Sequence, residues 1–136
     1  MSEIVVVNGV IHGDDERIEA WVRKNLGGGK PAGFVALGAE DASGNLAFGA
    51  VFTKHLGDDV DMALYATSPA KALRGIIRTV LAYPFDQLGV RRITAEIARD
   101  NARCLRFARG IGFEVEGVKR GTERIVMGLL PEDIRI

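Results

Sequence analysis

The sequence predicts a single α+β (mixed α/β) domain built on one central, mostly antiparallel sheet of about seven strands with about three helices packed on it. Three observations predict this class. Strand-like and helix-like segments follow one another in the order β-α-β-β-β-α-β-α-β-β, with no repeat, linker or biased tract between them. The chain has 136 residues, room for one domain over 1–136 with a real core. Its residues are 47% hydrophobic and 26% charged, the balance of a globular protein.

Residues 4–7 form a short β-branched run and predict a first strand. Residues 14–26 predict a helix, because Ile18, Trp21, Val22 and Leu26 recur at helical spacing on one face. Asp14, Asp15 and Glu16 at its start and Arg23 and Lys24 at its end suit the helix dipole, and Gly27 stops it. Residues 34–40 and 46–53 predict two strands joined by a hairpin through Ala42-Ser43-Gly44. Residues 55–59 predict a turn and 60–66 a strand, with Val60, Met62, Leu64 and Ala66 on one face and Asp61, Ala63 and Tyr65 on the other. Ser68 as N-cap and Pro69 at the first helical position predict the next helix, whose buried stripe is Leu73, Ile76, Ile77, Val80 and Leu81. Pro84 kinks or ends it. Residues 91–98 alternate Ile93, Ala95 and Ile97 against Arg92, Thr94 and Glu96 and predict a strand. Asp100 or Asn101 caps a helix carrying Cys104, Phe107, Ala108 and Ile111 on one face, and residues 113–119 and 124–130 close the chain as strands.

Eighteen Lys and Arg against eighteen Asp and Glu give a formal net charge of zero. A general nucleic-acid or membrane-surface binder carries a basic excess, so neither partner is expected. The early apolar run is too short for a membrane span or a signal-peptide core. One cysteine, Cys104, excludes an intramolecular disulfide, and with His12 and His55 it makes no zinc site of the usual kind, so no metal is expected. The Gly27-Gly28-Gly29 run lacks the Lys-Ser/Thr of a phosphate loop and reads as a helix stop and connector. The expectation is a soluble, cytoplasmic domain.

The order of elements, with Arg92-Ile93-Thr94-Ala95-Glu96, then Asn101, then Gly112-Phe113-Glu114-Val115-Glu116-Gly117-Val118-Lys119-Arg120, resembles the GNAT superfamily of acyl-CoA-dependent N-acetyltransferases. Within it the pattern is most similar to the branch that acetylates ribosomal-protein N-termini. The resemblance implies a splayed parallel pair made by residues 60–66 and 91–98, with acetyl-CoA, the acyl donor, in the V between them. It implies that the backbone of Leu64, Tyr65 and Ala66 holds the pantetheine arm, and that residues 70–75 hold the phosphates. An extended amide chain takes up exposed strand edges as a strand would, and helix-start amides attract phosphate.

The family's Gly-rich phosphate turn is replaced here by Lys71-Ala72-Leu73-Arg74-Gly75-Ile76, in which Gly75 alone keeps the small side chain. Lys71, Arg74 and Arg78 either offset that loss by contacting phosphate or form a solvated helix face. Asn101, by resemblance a cofactor contact, serves equally as a plain helix cap. Ala108 stands where many members have a tyrosine acid. Cys104 stands where the ribosomal branch often has serine, and is either a proton donor or a small buried hydrophobe. Glu96 and Asp61, on the polar alternation of the two strands, are either the base that deprotonates the amine or solvated carboxylates.

The function implied is transfer of acetyl from acetyl-CoA to a primary amine by direct attack, with strand amides at residues 64–66 stabilising the oxyanion. The amine is a peptide α-amine, a protein or a small molecule, and loops near residues 27–31 and 55–59 receive it. A weak α-amine, with a pKa of about 7.7 to 8, demands less of a base than a lysine near 10.4. The alternative is a catalytically reduced domain that binds CoA or a protein partner. A homodimer is compatible with the family.

Overall fold

The computed structural model describes residues 3–136. It contains β1 (Val5–Val7), β2 (Val10–His12), α1 (Asp15–Leu26), β3 (Val35–Glu40), β4 (Leu46–Leu56), β5 (Asp59–Ala66), α2 (Arg74–Ala82), β6 (Arg92–Ala98), α3 (Ala102–Ile111), β7 (Glu114–Lys119) and β8 (Arg124–Leu129). All eight strands join in one sheet of order β1-β2-β3-β4-β5-β6-β8-β7. Every neighbouring pair is antiparallel except β5 and β6, which run parallel. The eighth strand is β2. Asn8 (φ 51°) and Gly9 (φ 81°) both sit in the left-handed region, which turns the chain back on itself after β1 as a two-residue hairpin.

Helices cover both faces of the sheet. On one, Ile77, Val80 and Leu81 of α2 and Phe107, Ala108 and Ile111 of α3 bury Phe48, Ala50, Val60, Met62, Leu64, Ile93 and Ala95. On the other, Ile18 and Val22 of α1 bury Ile11, Ala36, Leu46 and Val51. Both faces of β4 are therefore core. Gly49 makes room for the second layer, since a Cβ there would lie 2.7 Å from Val22 Cγ2. Among the described residues no helix is long and apolar enough to cross a membrane.

The start of α2 differs from expectation, and its end does not. Ser68 caps nothing: the chain turns through a 3₁₀ segment, Ala70–Leu73, and α2 begins only at Arg74. Pro69 is extended (φ −61°, ψ 155°) and precedes that turn rather than opening an α-helix. At the other end Pro84 does stop α2, at Ala82. Lacking an amide donor, it hands the chain to a wider π-type turn, Tyr83–Gln87, closed by Leu88 N on the Tyr83 carbonyl at 3.0 Å.

Candidate active site

The parallel pair is short. Its register covers Asp59 with Arg92, Val60 with Ile93 and Asp61 with Thr94, and stops there among the described residues. β5 continues on β4 as far as Ala66, and β6 on β8 as far as Ala98. The two strands thus diverge into a V. The Thr94 hydroxyl holds the closed end, 2.9 and 3.0 Å from the two carboxylate oxygens of Asp59. Peptide groups alternate along a strand, and Thr67 N bonds back toward β4 at the Ala47 carbonyl. The peptide groups of Leu64 and Ala66 accordingly point into the V.

Side chains from α3 meet them there. The Cys104 thiol lies 3.9 Å from the Leu64 carbonyl, and Arg103 Nη2 donates to the Ala66 carbonyl at 2.7 Å. Asn101 starts the helix by accepting from Cys104 N at 3.1 Å. Three adjoining hollows run along this seam. The first, about 170 Å³, lies between the strands and is lined by Leu64, Glu96, Asn101, Cys104, Arg124 and the Gly27-Gly28 turn, among others. The second, about 130 Å³, shares Leu64, Asn101 and Cys104 with it and adds Tyr65, Ala66 and Arg103. The third, about 470 Å³, is reached past Arg103 and Phe107 and is lined by Ser68, Pro69, Ala70, Lys71 and Arg106. The seam runs from a mixed polar cleft to a cationic hollow against the 3₁₀ turn.

Leu64, Tyr65, Ala66, Asn101 and Cys104 therefore come together, with Glu96 in the first hollow and Lys71 in the third. Leu73, Arg74 and Gly75 line none of the three. Arg78 is turned elsewhere, donating through Nε to the carbonyl of Ile136. Because α2 starts late, only the first part of the 70–75 segment reaches the seam. The residues that sequence reasoning missed are Arg103, Arg106 and Phe107. With Gly110 they repeat at i, i+3, i+4 and i+7 along α3, a pattern visible in the sequence but masked by the apolar stripe beside it.

The three catalytic candidates stand in different surroundings. Glu96 is half-buried, with Lys119 Nζ 3.4 Å from its Oε1. Burial pushes the Cys104 thiol upward, opposed by nearby Arg103, so it holds its proton at neutral pH. Asp61 sits at the closed end of the V. Burial raises its carboxyl above the usual range, Lys54 at 3.8 Å opposes this, and Asp59 and Glu96 add to the rise. Its carboxylate is then less favourable in the fold than in the unfolded chain, so it lowers stability as pH climbs above its ordinary value of 3.8. Asp61→Asn is expected to raise the melting temperature near pH 7 by a few degrees at most and to change it little near pH 3. Calorimetry at both pH values checks this, and a less stable variant at neutral pH would show that the Lys54 pair outweighs burial.

No family profile matches the sequence, and no curated protein matches it. Solved structures do. An acetyltransferase from Agrobacterium tumefaciens C58 is similar over 95% of this chain and 95% of that one, at 10% identity and a TM-score of 0.63. The N-acetyltransferase PseH of Campylobacter jejuni, solved in complex with acetyl coenzyme A, is similar over 74% of this chain and 70% of that one, at 12% identity and a TM-score of 0.59. The ribosomal-protein-S5-alanine acetyltransferase of Vibrio fischeri is similar over 89% and 70%, at 12% identity and a TM-score of 0.58. The chain has the fold of the GNAT acetyltransferases. The ribosomal branch is not set apart, since PseH matches as well as the Vibrio enzyme does.

Proposed function

We propose that this protein is an N-acetyltransferase that moves acetyl from acetyl-CoA to a primary amine by direct attack. The observation that carries the reading is the V: a stretch of β5 whose peptide groups at Leu64 and Ala66 have no strand opposite them, opening onto a hollow with Lys71, Arg103 and Arg106 around it. An extended chain of amides ending in a pyrophosphate has the length and chemistry to fill that seam. Acetyl-CoA supplies the thioester. The chain's own residues do the rest.

In this reading the β5 amide at Leu64 faces the thioester carbonyl oxygen and stabilises the charge that develops there. The acceptor nitrogen approaches from the first hollow, bounded by the Gly27-Gly28 turn and Arg124. Glu96, through water, takes the proton an ammonium must lose. The new C–N bond forms as the C–S bond breaks; in this reading the Cys104 thiol gives its proton to the departing sulfur and is restored by the second proton that the acylated nitrogen sheds. Glu96 also pairs with Lys119, and a weakly basic amine such as a peptide α-amine asks the least of the site.

The test is a titration followed by turnover. Acetyl-CoA at a hundred times its dissociation constant should stabilise the fold by about 2.7 kcal/mol. Thiol release should then depend on added amine, with peptides bearing a free α-amine as the best acceptors. No thermal shift at millimolar acetyl-CoA would defeat the reading. Tight binding with no release on a broad amine panel would leave a CoA-binding module, a reading favoured by Ala108, which offers no acid, and by the single glycine left in the 70–75 segment.

A further inference from the structure

Arg103 stands at the junction of the second and third hollows and lines both. Its contacts are a carbonyl, Ala66 O at 2.7 Å, and a phenol, Tyr65 OH at 3.2 Å, with the guanidinium 5.5 Å above the Tyr65 ring centre. Both acceptors are neutral, and no carboxylate is paired with Arg103 among the described residues. The Ala66 carbonyl is also one of the acceptors that the V offers to an entering amide chain. Arg103 therefore occupies, on its own protein, a position that such a ligand needs.

We propose that Arg103 is a latch with two seats. In the free protein it closes the mouth of the V on Ala66. When an acyl-CoA enters, a pantetheine N–H replaces it there and the guanidinium turns into the third hollow, pairing with the pyrophosphate beside Lys71 and Arg106. This rests on the acyl-CoA reading above and assigns that site its gate. The exchange runs downhill because the guanidinium trades neutral acceptors for an anion of opposite full charge, which it meets with two parallel donors. A ligand with the amide arm but no phosphate must open the latch without offering it a second seat, so the latch discriminates against such compounds.

The stack built on Tyr65 makes the motion visible. The Trp21 ring meets Tyr65 edge to face at 5.2 Å and 71°, and Trp21 is the only tryptophan in the chain. Its emission therefore reports departure of the guanidinium from Tyr65, the ring that both groups contact.

The experiment titrates the parent chain, Arg103→Ala and Arg103→Lys with acetyl-CoA and with S-acetylpantetheine, by calorimetry and by Trp21 emission. Arg103→Ala should bind acetyl-CoA about tenfold more weakly and S-acetylpantetheine several-fold more tightly, an effect of opposite sign on the two ligands. Arg103→Lys, which keeps the charge without the planar fork, should fall between and remains informative should the alanine variant fold poorly. Acetyl-CoA should change Trp21 emission in the parent chain, while free Arg103→Ala should already show the altered spectrum. Affinities that move together for the two ligands, or an unchanged parent spectrum on saturation with acetyl-CoA, overturn the latch alone. Failure of the parent chain to bind either ligand overturns the acyl-CoA reading and the latch with it.

Discussion

Gly112→Ala is expected to cost about 3 kcal/mol or more, lowering the melting temperature by about 10 °C. Gly112 ends α3 at φ +128°, a region that side chains rarely adopt. A Cβ built on it would lie 2.1 Å from the carbonyl oxygen of Asp133, a backbone atom that has no rotamer to move away. The neighbouring bonds make the site rigid. Gly112 N donates to the Ala108 and Arg109 carbonyls at 3.2 and 3.1 Å, and Arg135 N donates to the Ile111 carbonyl at 2.8 Å, fixing the C-terminal turn against the helix end. Gly27→Ala is the control, because Gly27 also has positive φ, at 85°, but a Cβ there would meet nothing within 4 Å. Calorimetry of both variants separates strain of conformation from collision. A loss at Gly112 no greater than that at Gly27 would refute the collision.

Asn101 carries the largest expected effect on turnover. It lines the first two hollows and caps α3, so Asn101→Ala removes both a cap and a contact. Loss of the cap alone costs about 1 kcal/mol of stability. Asn101→Asp keeps an oxygen for Cys104 N and retains the cap, but gives up the amide donors. If Asn101 orients the thioester, both variants should slow transfer at saturating acetyl-CoA by about a hundredfold, the scale of a small misplacement of reacting groups. Stability should fall only in the alanine variant. Parent-like turnover in Asn101→Asp, with loss confined to Asn101→Ala, would reduce the residue to a helix cap. Melting curves and thiol-release rates on the same preparations decide it.

The sheet was legible wherever alternation was clean. Val60, Met62, Leu64 and Ala66 are all buried as their spacing requires, and Ile93, Ala95 and Ile97 match them on the neighbouring strand. β2 escaped because three residues are too few for periodicity to show, although Asn8-Gly9 between two β-branched runs is a strong local hairpin signal. Ser68-Pro69 misled because the same residues that open an α-helix also serve an extended lead into a 3₁₀ turn; only the docking of Ala70 into the core selects between them. Of the candidate site, the strand β5 and the Asn101 cap were legible as structure. Arg103 was not, because nothing in the local sequence says that the first turn of α3 lies over the end of β5. That proximity depends on where two distant elements settle, Arg103 and Ala66 being 37 positions apart in the sequence.

A parallel pair joined at three register positions and open beyond them has a mechanical consequence. The V is a crack, and its tip is the Asp61–Thr94 position, pinned by the Thr94 hydroxyl on Asp59. On one flank β1 to β5 form a continuous block, and on the other β6 to β8 form a second. Within the sheet, a load that spreads the blocks falls on the few strand bonds at the tip, while the α2–α3 core resists it from one face. A molecule laid along the open edges adds bonds far from the tip, where their leverage is greatest. It acts there as a missing ninth strand and tightens the join between two blocks that share one core on the α2–α3 side.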